Sequence, residues 1–448
     1  MSPIWRFLYQ LYRGLSTLRH WARRRFTSLG LIILGATAVA GMLSPDTDNN
    51  ITYQALTLLM ALVVIAILFA FFFHGRFTAT RLLPAFGTVG CPLYYRVVIK
   101  NLTGRRQASL TLLEDLADSR ATFLEWRAAQ LGAGRQIRAL LMSQHRRLNP
   151  FRVATVKAAA LGEAAPHGEA EARFELTPLR RGLLRFEGVT VARPDPLGLF
   201  RGFVRVPLPQ TTLILPRRYP IPPLVLPGAS KYQDGGVALA SCVGQSDEFV
   251  ALRDYWHGDP LRHIHWRSWA RAGKPVIKEF EDEFFVRHAL VLDTFAGPGD
   301  APVFEEAVSV AASFASSVQT QESLLDLLFV GPESYCFTAG RGLAHTDQML
   351  RILASVRACS DAPFGTLQRL VFSHAKRVSG CICVLLAWDD ERREFVKRLR
   401  AVGVPLMVIV VTPPGSAGAL NPGPMQDEPE RFHVLEAGRI EAGLAKLK

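Results

Sequence analysis

Two stretches near the start of the chain hold no charged residue, 27–43 (TSLGLIILGATAVAGML) and 51–73 (ITYQALTLLMALVVIAILFAFFF). As a helix the second is about 34 Å long, enough to cross a hydrocarbon layer of about 30 Å. The first lies near the short limit and draws in Phe26 at its edge. The seven residues between them, 44–50, allow only a tight turn, so the pair predicts a transmembrane helical hairpin.

Beyond it the pattern changes to short alternating runs, at 95–99, 172–176, 182–186, 189–192, 203–208 and 211–215. Turn chemistry separates them at 101–104, 180–182 and 194–198. Residues 89–116 read as two strands around a turn, 120–147 as helical and 158–171 as a loop. A β-sandwich-like module over 76–225 is expected, with 120–171 inserted in it. No catalytic constellation appears there, and its expected role is structural. From 285 onward apolar strands (288–293, 324–330, 334–338, 381–388, 405–411, 431–435) alternate with helical spacing (304–319, 347–357, 367–377, 392–402) and end in a short helix. That alternation predicts an open, mostly parallel α/β sheet over 285–448. The fold class is therefore α+β multidomain: a basic arm (1–26), two membrane helices (27–73), the β-module (76–225), a linking segment (226–284) and the α/β domain.

Charge sets the orientation. Arg6, Arg13, Arg19, Arg23, Arg24 and Arg25 precede the first apolar run with no acid among them. Arg76 and Arg81 follow the second, and the linker holds only Asp46 and Asp48. Positive flanks stay in the cytoplasm, which puts both termini and the body of the chain on that side of a multi-pass inner-membrane protein. The arm interleaves its arginines with Trp5, Phe7, Tyr9, Tyr12 and Trp21, a mixture suited to lipid headgroups, so residues 1–73 are expected to meet membrane lipid. The whole chain carries a net charge of +13. A membrane-associated nucleic-acid binder is the competing account of that charge. No zinc finger, RNP-type aromatic motif or long basic helix supports it, and no nucleic-acid partner is expected.

The most distinctive stretch is 247–284, DEFVALRDYWHGDPLRHIHWRSWARAGKPVIKEFEDEF. Gly258-Asp259-Pro260 predicts a turn, Ala272-Gly273 a second, and 275–280 a strand. Strand alternation after the first turn sets Arg262, Ile264 and Trp266 on one face and His263, His265 and Arg267 on the other. Three readings stay open. Arg253, Asp254, Asp259, Arg262, Arg271, Lys278, Glu279 and Glu281 form an ion-pair network. The segment is a docking surface, Trp and Arg being favoured interface anchors. Or His257, His263 and His265 with Asp259 bind a metal, or act as acid and base, in a metal-dependent enzyme.

Arg253-x-Tyr255-x-x-Gly258-Asp259-x-x-Arg262-x-Ile264-His265-Trp266, followed by Ala270-Arg271, resembles the signature of the domain of unknown function 58 family. Arg181-Gly182 and Asp195-Pro196-Leu197-Gly198-Leu199-Phe200 resemble its second hallmark. With the helix pair and the α/β region, the resemblance spans nearly the whole chain. It implies a von Willebrand factor A-like C-terminal domain, no established enzymatic activity, and a MoxR-type AAA+ ATPase as working partner. Domains of that type often hold Mg²⁺ through Asp-x-Ser-x-Ser after the first strand. Here the run is Asp293-Thr294-Phe295-Ala296-Gly297, with both hydroxyl positions lost, so no cofactor is expected. Asp293 and Asp389, each at a strand's carboxyl end, are the candidates for any retained cation. Asp293 is alternatively a turn or helix cap, and Asp389 with Asp390 the start of a helix.

Neither a phosphate-binding Gly-x-x-x-x-Gly-Lys-Ser/Thr loop nor a Gly-x-Ser-x-Gly elbow occurs. Cys381 and Cys383 are assigned to opposite faces of their strand and so are not expected to act as a pair. The resulting expectation is a non-catalytic, membrane-anchored scaffold, with Arg253, Tyr255, Gly258, Asp259, Arg262, His265, Trp266 and Arg271 as its interaction residues.

Overall fold

A computed structural model describes residues 3–43, 50–117, 123, 126–127, 152–222, 249–259, 261–280, 286–297, 300–317, 323–339, 343–359, 361–416 and 420–447. The acidic linker with Asp46 and Asp48, most of the helical reading at 120–147, and the linking residues 226–248 lie outside them. The chain divides into two compact units, 1–217 and 218–448.

The first unit opens with three helices, α1 (Pro3–Arg25), α2 (Ser28–Leu43) and α3 (Asn50–Phe71). α1 is longer and more regular than an arm of alternating Arg and aromatic residues suggests. Its Ile4, Leu8, Leu11, Leu15 and Leu18 recur at helical spacing and form one exposed stripe. α3 is the one helix, among the described residues, long and apolar enough to cross a membrane; its span 51–71 has a mean hydropathy of 2.6. α2 is equally free of charge but, at 16 residues, shorter than a usual span.

Among the described residues nine strands follow: β1 (Phe77–Leu82), β2 (Phe86–Thr88), β3 (Leu93–Asn101), β4 (Leu110–Leu116), β5 (Ala154–Val156), β6 (Ala159–Leu161), β7 (Glu169–Pro178), β8 (Gly182–Pro194) and β9 (Arg201–Leu215). They make two sheets, β1-β3-β7-β5 and β2-β9-β8-β4-β6. Tyr95, Ile99 and Phe174 of the first share one core with Leu112, Phe186, Val191 and Ile214 of the second, so the module is a sandwich. Three expectations change. Residues 89–116 do give two strands, but β3 and β4 lie in different sheets, so the turn between them crosses the sandwich. The loop at 158–171 contains β6 and the start of β7, and β5 is also a sheet member, so 154–171 is built into the sandwich, while Phe123 and Trp126 pack on Tyr9 of α1. Finally, 182–186 and 189–192 are one strand with a bulge between Phe186 and Gly188.

The second unit begins with a hairpin, β10 (Phe249–Asp254) and β11 (Val276–Phe280), carrying α4 (Trp266–Ala272) in its connection. An α/β sheet follows: β12 (Val286–Leu292), α5 (Ala301–Ser317), β13 (Ser323–Val330), β14 (Ser334–Ala339), α6 (Leu343–Ser355), α7 (Gly365–His374), β15 (Gly380–Leu385), α8 (Asp390–Ala401), β16 (Leu406–Thr412), β17 (Phe432–Glu436) and α9 (Ile440–Leu444). The strand order is β14-β13-β12-β15-β16-β17, with β14 antiparallel and the other neighbours parallel. β15 and β16 are buried at every position, as strands covered on both faces must be. One face packs on Leu367 and Val371 of α7 and on Phe395, Val396 and Leu399 of α8. Both Cys381 and Cys383 point into that face, with sulfurs 3.6 Å apart. The assignment to opposite faces is corrected: side chains alternate with a period of two, so i and i+2 share a face.

Candidate functional site

Two places in the second unit gather the residues singled out in the sequence. The first is the hairpin. Gly258 has a φ of +110°, a backbone conformation that a side chain disfavours. The turn it permits swings Asp259 back onto the end of β10. There the carboxylate takes both arms of the Arg253 guanidinium, at 2.7 and 2.8 Å, and the Trp256 amide at 2.9 Å. Those hydrogen bonds, Arg253's first, hold the Asp259 carboxyl below its ordinary range. Lys274 pairs with Asp254 at 2.6 Å, and the Tyr255 amide donates to Pro275.

The alternating faces expected at 262–267 are not formed. Residues 261–263 make a 3₁₀ turn, Ile264 bridges Ile277, and α4 starts immediately after. The His265 carbonyl accepts from the Ser268 and Trp269 amides, which commits the chain to a helix, and Gly273, at φ +70°, closes it. Ile264, Val276 and Ile277 are buried beneath, whereas Trp256, Leu261 and Trp266 stand 74%, 66% and 65% exposed. Trp266 stacks on Trp269 with ring centres 5.3 Å apart. Arg262, Arg267 and Arg271 are exposed on the same short segment.

The three histidines do not converge. His257 is exposed, His263 meets the Arg262 side chain, and His265 Nδ1 meets the Ser268 hydroxyl. Among the described residues no group of three or more His, Cys, Asp or Glu is arranged to hold a metal ion. Of the expected ion-pair network, Arg253–Asp259 forms as a bidentate pair, whereas Asp254 pairs with Lys274, a residue outside the expected set.

The second place is the carboxyl end of β12 and β15, where the strand order reverses; open α/β sheets place ligands at such a point. Asp293 and Asp389 come together there through a residue the sequence reading missed, Arg392 of α8. Asp293 is fully buried. One of its oxygens accepts the Phe295 amide at 2.9 Å; the other takes the Leu386 amide at 3.1 Å and Arg392 Nε at 2.6 Å. Another guanidinium nitrogen pairs with Asp389, whose remaining oxygen caps α8 by accepting the Arg392 amide at 3.0 Å. The guanidinium carbon lies 4.8 Å from the centre of the Phe364 ring. Burial alone would lower the Arg392 pKa, but the charges of Asp293 and Asp389 hold it above its ordinary value. This donor set does not suit Mg²⁺. The hydroxyl positions are Phe295 and Gly297, Thr294 turns away to the Val330 carbonyl, and a fixed organic cation lies against both carboxylates. Asp293 also caps the turn that follows it, through the Phe295 amide, so that role and the pair with Arg392 coexist on its two oxygens, and Asp389 does begin its helix. Only a sequence separation of 99 residues hid Arg392.

Comparison with known proteins bears on both places. Residues 251–410 match the family described as "Protein of unknown function DUF58". This stretch is a DUF58 domain. It runs from the β10 hairpin into β16, so the Arg253–Asp259 turn and the Asp293–Arg392 pair both belong to the DUF58 domain. The uncharacterized protein YeaD of Bacillus subtilis (strain 168) is 30% identical over 198 residues, which make up 44% of this chain and 48% of YeaD. The chain thus spans about half the length of the curated relative it matches. Among solved structures, the CARDB domain of a Pyrococcus furiosus protein overlaps 30% of this chain and 94% of its own, at 14% identity and a TM-score of 0.15. A cohesin module from Clostridium perfringens overlaps 32% of this chain and 98% of its own, at 10% identity and a TM-score of 0.16. Overlaps this loose fix no fold; the sandwich rests on its own strand pairing.

Proposed function

We propose that the protein is a non-catalytic, membrane-anchored adaptor whose DUF58 domain docks a cytosolic partner. The observation that carries this reading is the exposure of Trp256, Leu261 and Trp266 among arginines on one hairpin connection, whose Trp256 end the Arg253–Asp259 pair fixes. Large aromatics left in water cost free energy unless a partner covers them, and Trp and Arg dominate interface anchors. The partner is a MoxR-type AAA+ ATPase, an assignment supported by the family resemblance. The α/β domain is von Willebrand factor A-like, with Arg392 standing where such domains keep a divalent ion. α2 and α3 cross the bilayer as a hairpin with both termini on the cytoplasmic side, supported by the apolar length of α3 and the arginines that flank the pair.

Membranes from cells trapped with a non-hydrolysable nucleotide should yield the ATPase with the full-length protein, and Trp256→Ala with Trp266→Ala should abolish the co-purification. No ATPase with the unaltered chain, or equal recovery with the double variant, would count against the reading. Recovery of the unaltered chain in the soluble fraction without detergent would remove the anchoring.

A further inference from the structure

Where α3 leaves its helical path and the chain turns toward β1, a crevice of about 1060 Å³ opens between the ends of α1 and α3 and the face of β9. Its chemistry is divided. One wall is apolar, formed by Phe71, Phe200 and Phe203 together with the last turns of α3. The rim carries Arg25, His74 and Arg76, and among the described residues no Asp or Glu lines the space. A cationic rim with no counter-charge is unusual here, because the neighbouring Arg24 has one in Asp115. Arg25 has only neutral described partners. It donates to the Arg201 carbonyl at 3.2 Å and lies over the Phe203 ring at 4.3 Å. Burial, and then the adjacent charge of Arg24, push its pKa below the ordinary arginine value. A half-buried cation held only by a carbonyl and a ring gains from an anion. The depth of the crevice narrows the choice of anion. It sits beside the end of α3, and Phe71 at that end is 75% exposed. With α3 in a bilayer, the arginines lie at headgroup level and the phenylalanine wall continues into the acyl region.

We propose that this crevice binds an anionic phospholipid, its phosphate at Arg25 and Arg76 and the start of its acyl chains along Phe71 and α3. The inference rests on the anchoring proposed above and adds the lipid class that the anchor reads. Each arginine near an anionic headgroup contributes on the order of a fivefold change in affinity.

The test uses the full-length chain purified in a neutral detergent, titrated with phosphatidylglycerol, with phosphatidylcholine of the same tails, and with inorganic phosphate, followed by native mass spectrometry. Phosphatidylglycerol should bind saturably and about tenfold or more tighter than phosphatidylcholine, with inorganic phosphate failing to compete. Arg25→Gln with Arg76→Gln should lose about 25-fold, while Arg25→Lys, which keeps the charge and controls for folding, should lose little. Equal binding of the two lipids, unchanged binding by the double glutamine variant, or competition by phosphate would each overturn the proposal. Sedimentation separates its failure from that of the anchoring. A chain that sediments with membranes but shows no headgroup preference retains the anchor and loses the lipid site. A chain found in the supernatant loses both.

Discussion

Replacing Arg392 with methionine keeps most of its volume and removes its charge, leaving Asp293 alone in a fully buried place. Removing one partner of a buried pair costs about 3–5 kcal/mol, because the remaining charge has neither water nor a counter-ion. Here the loss is compounded, since Arg392 also pairs with Asp389 and faces the Phe364 ring. For a unit of this size, about 2–4 °C of melting temperature corresponds to each kcal/mol, so a fall of roughly 6–20 °C is expected. Detergent-solubilised protein given heat pulses, then proteolysed and read by mass spectrometry, would report the half-melting temperature from peptides of β15 and α8. Two companions locate the cause. Asp389→Asn removes a half-exposed charge and keeps a capping side chain, so it should cost less than about 1 kcal/mol. Asp293→Asn combined with Arg392→Met removes the buried charge as well and should melt above Arg392→Met alone. An Arg392→Met protein melting within about 2 °C of the unaltered chain, or an equally large effect of Asp389→Asn, would refute the reasoning.

Other tests reach other parts of the chain. Arg392→Ser leaves two carboxylates facing a hole, so millimolar Mg²⁺ should raise the melting temperature of that variant but not of the unaltered protein; an equal response would refute the idea of a built-in cation. In the sandwich, Glu114 accepts hydrogen bonds from Arg81 and Tyr95, and burial pushes its carboxyl up to about 7. A raised folded-state pKa gives stability that is present below the unfolded value near 4.5 and lost as pH rises through 7, at most about 3 kcal/mol. Glu114→Gln should flatten that slope in pH-dependent melting, and an unchanged slope would exclude Glu114 as its source. His288 behaves oppositely: burial lowers it to about 4, so the α/β unit should lose stability as pH falls from 6.5 through 4, and His288→Phe should remove that loss. A variant as acid-sensitive as its parent would contradict this. Gly258→Ala, at φ +110°, should cost about 1–3 kcal/mol and free Trp256 for faster amide exchange, whereas unaltered exchange would show that the turn does not hold the patch.

How much of this was legible depends on the range of the forces involved. β15 and β16 announce themselves as unbroken apolar runs because both faces are covered, and α8 by its charged periodicity and its cap at Asp389. The three-residue strands β2, β5 and β6 carry no period, and only their neighbours make them strands. The 261–272 segment misled because Arg262-Ile264-Trp266 alternates like a strand, while the deciding fact, the His265 carbonyl opening a helix, is a backbone event. Of the candidate site, Arg253, Gly258 and Asp259 could be grouped from their spacing. Arg392 could not: a counter-ion 99 positions away leaves no local trace, and the loss of hydroxyls at Phe295 and Gly297 was the one hint that something else fills the place.

The junction between α1 and α2 has a mechanical consequence. Thr27 is bonded through its amide and hydroxyl to the turn between β8 and β9, whose shape Asp195 fixes by accepting the Leu197, Leu199 and Phe200 amides. Gly30 lies so close that a Cβ there would sit 2.0 Å from the Leu199 carbonyl, and just past the end of α3 Gly202 leaves the same sort of room for Phe73. The sandwich is thus clamped to the helices at two points with no slack between them. A tug on the sandwich would reach the helix pair as a torque, whereas a single floppy tether would let it swivel and dissipate the load.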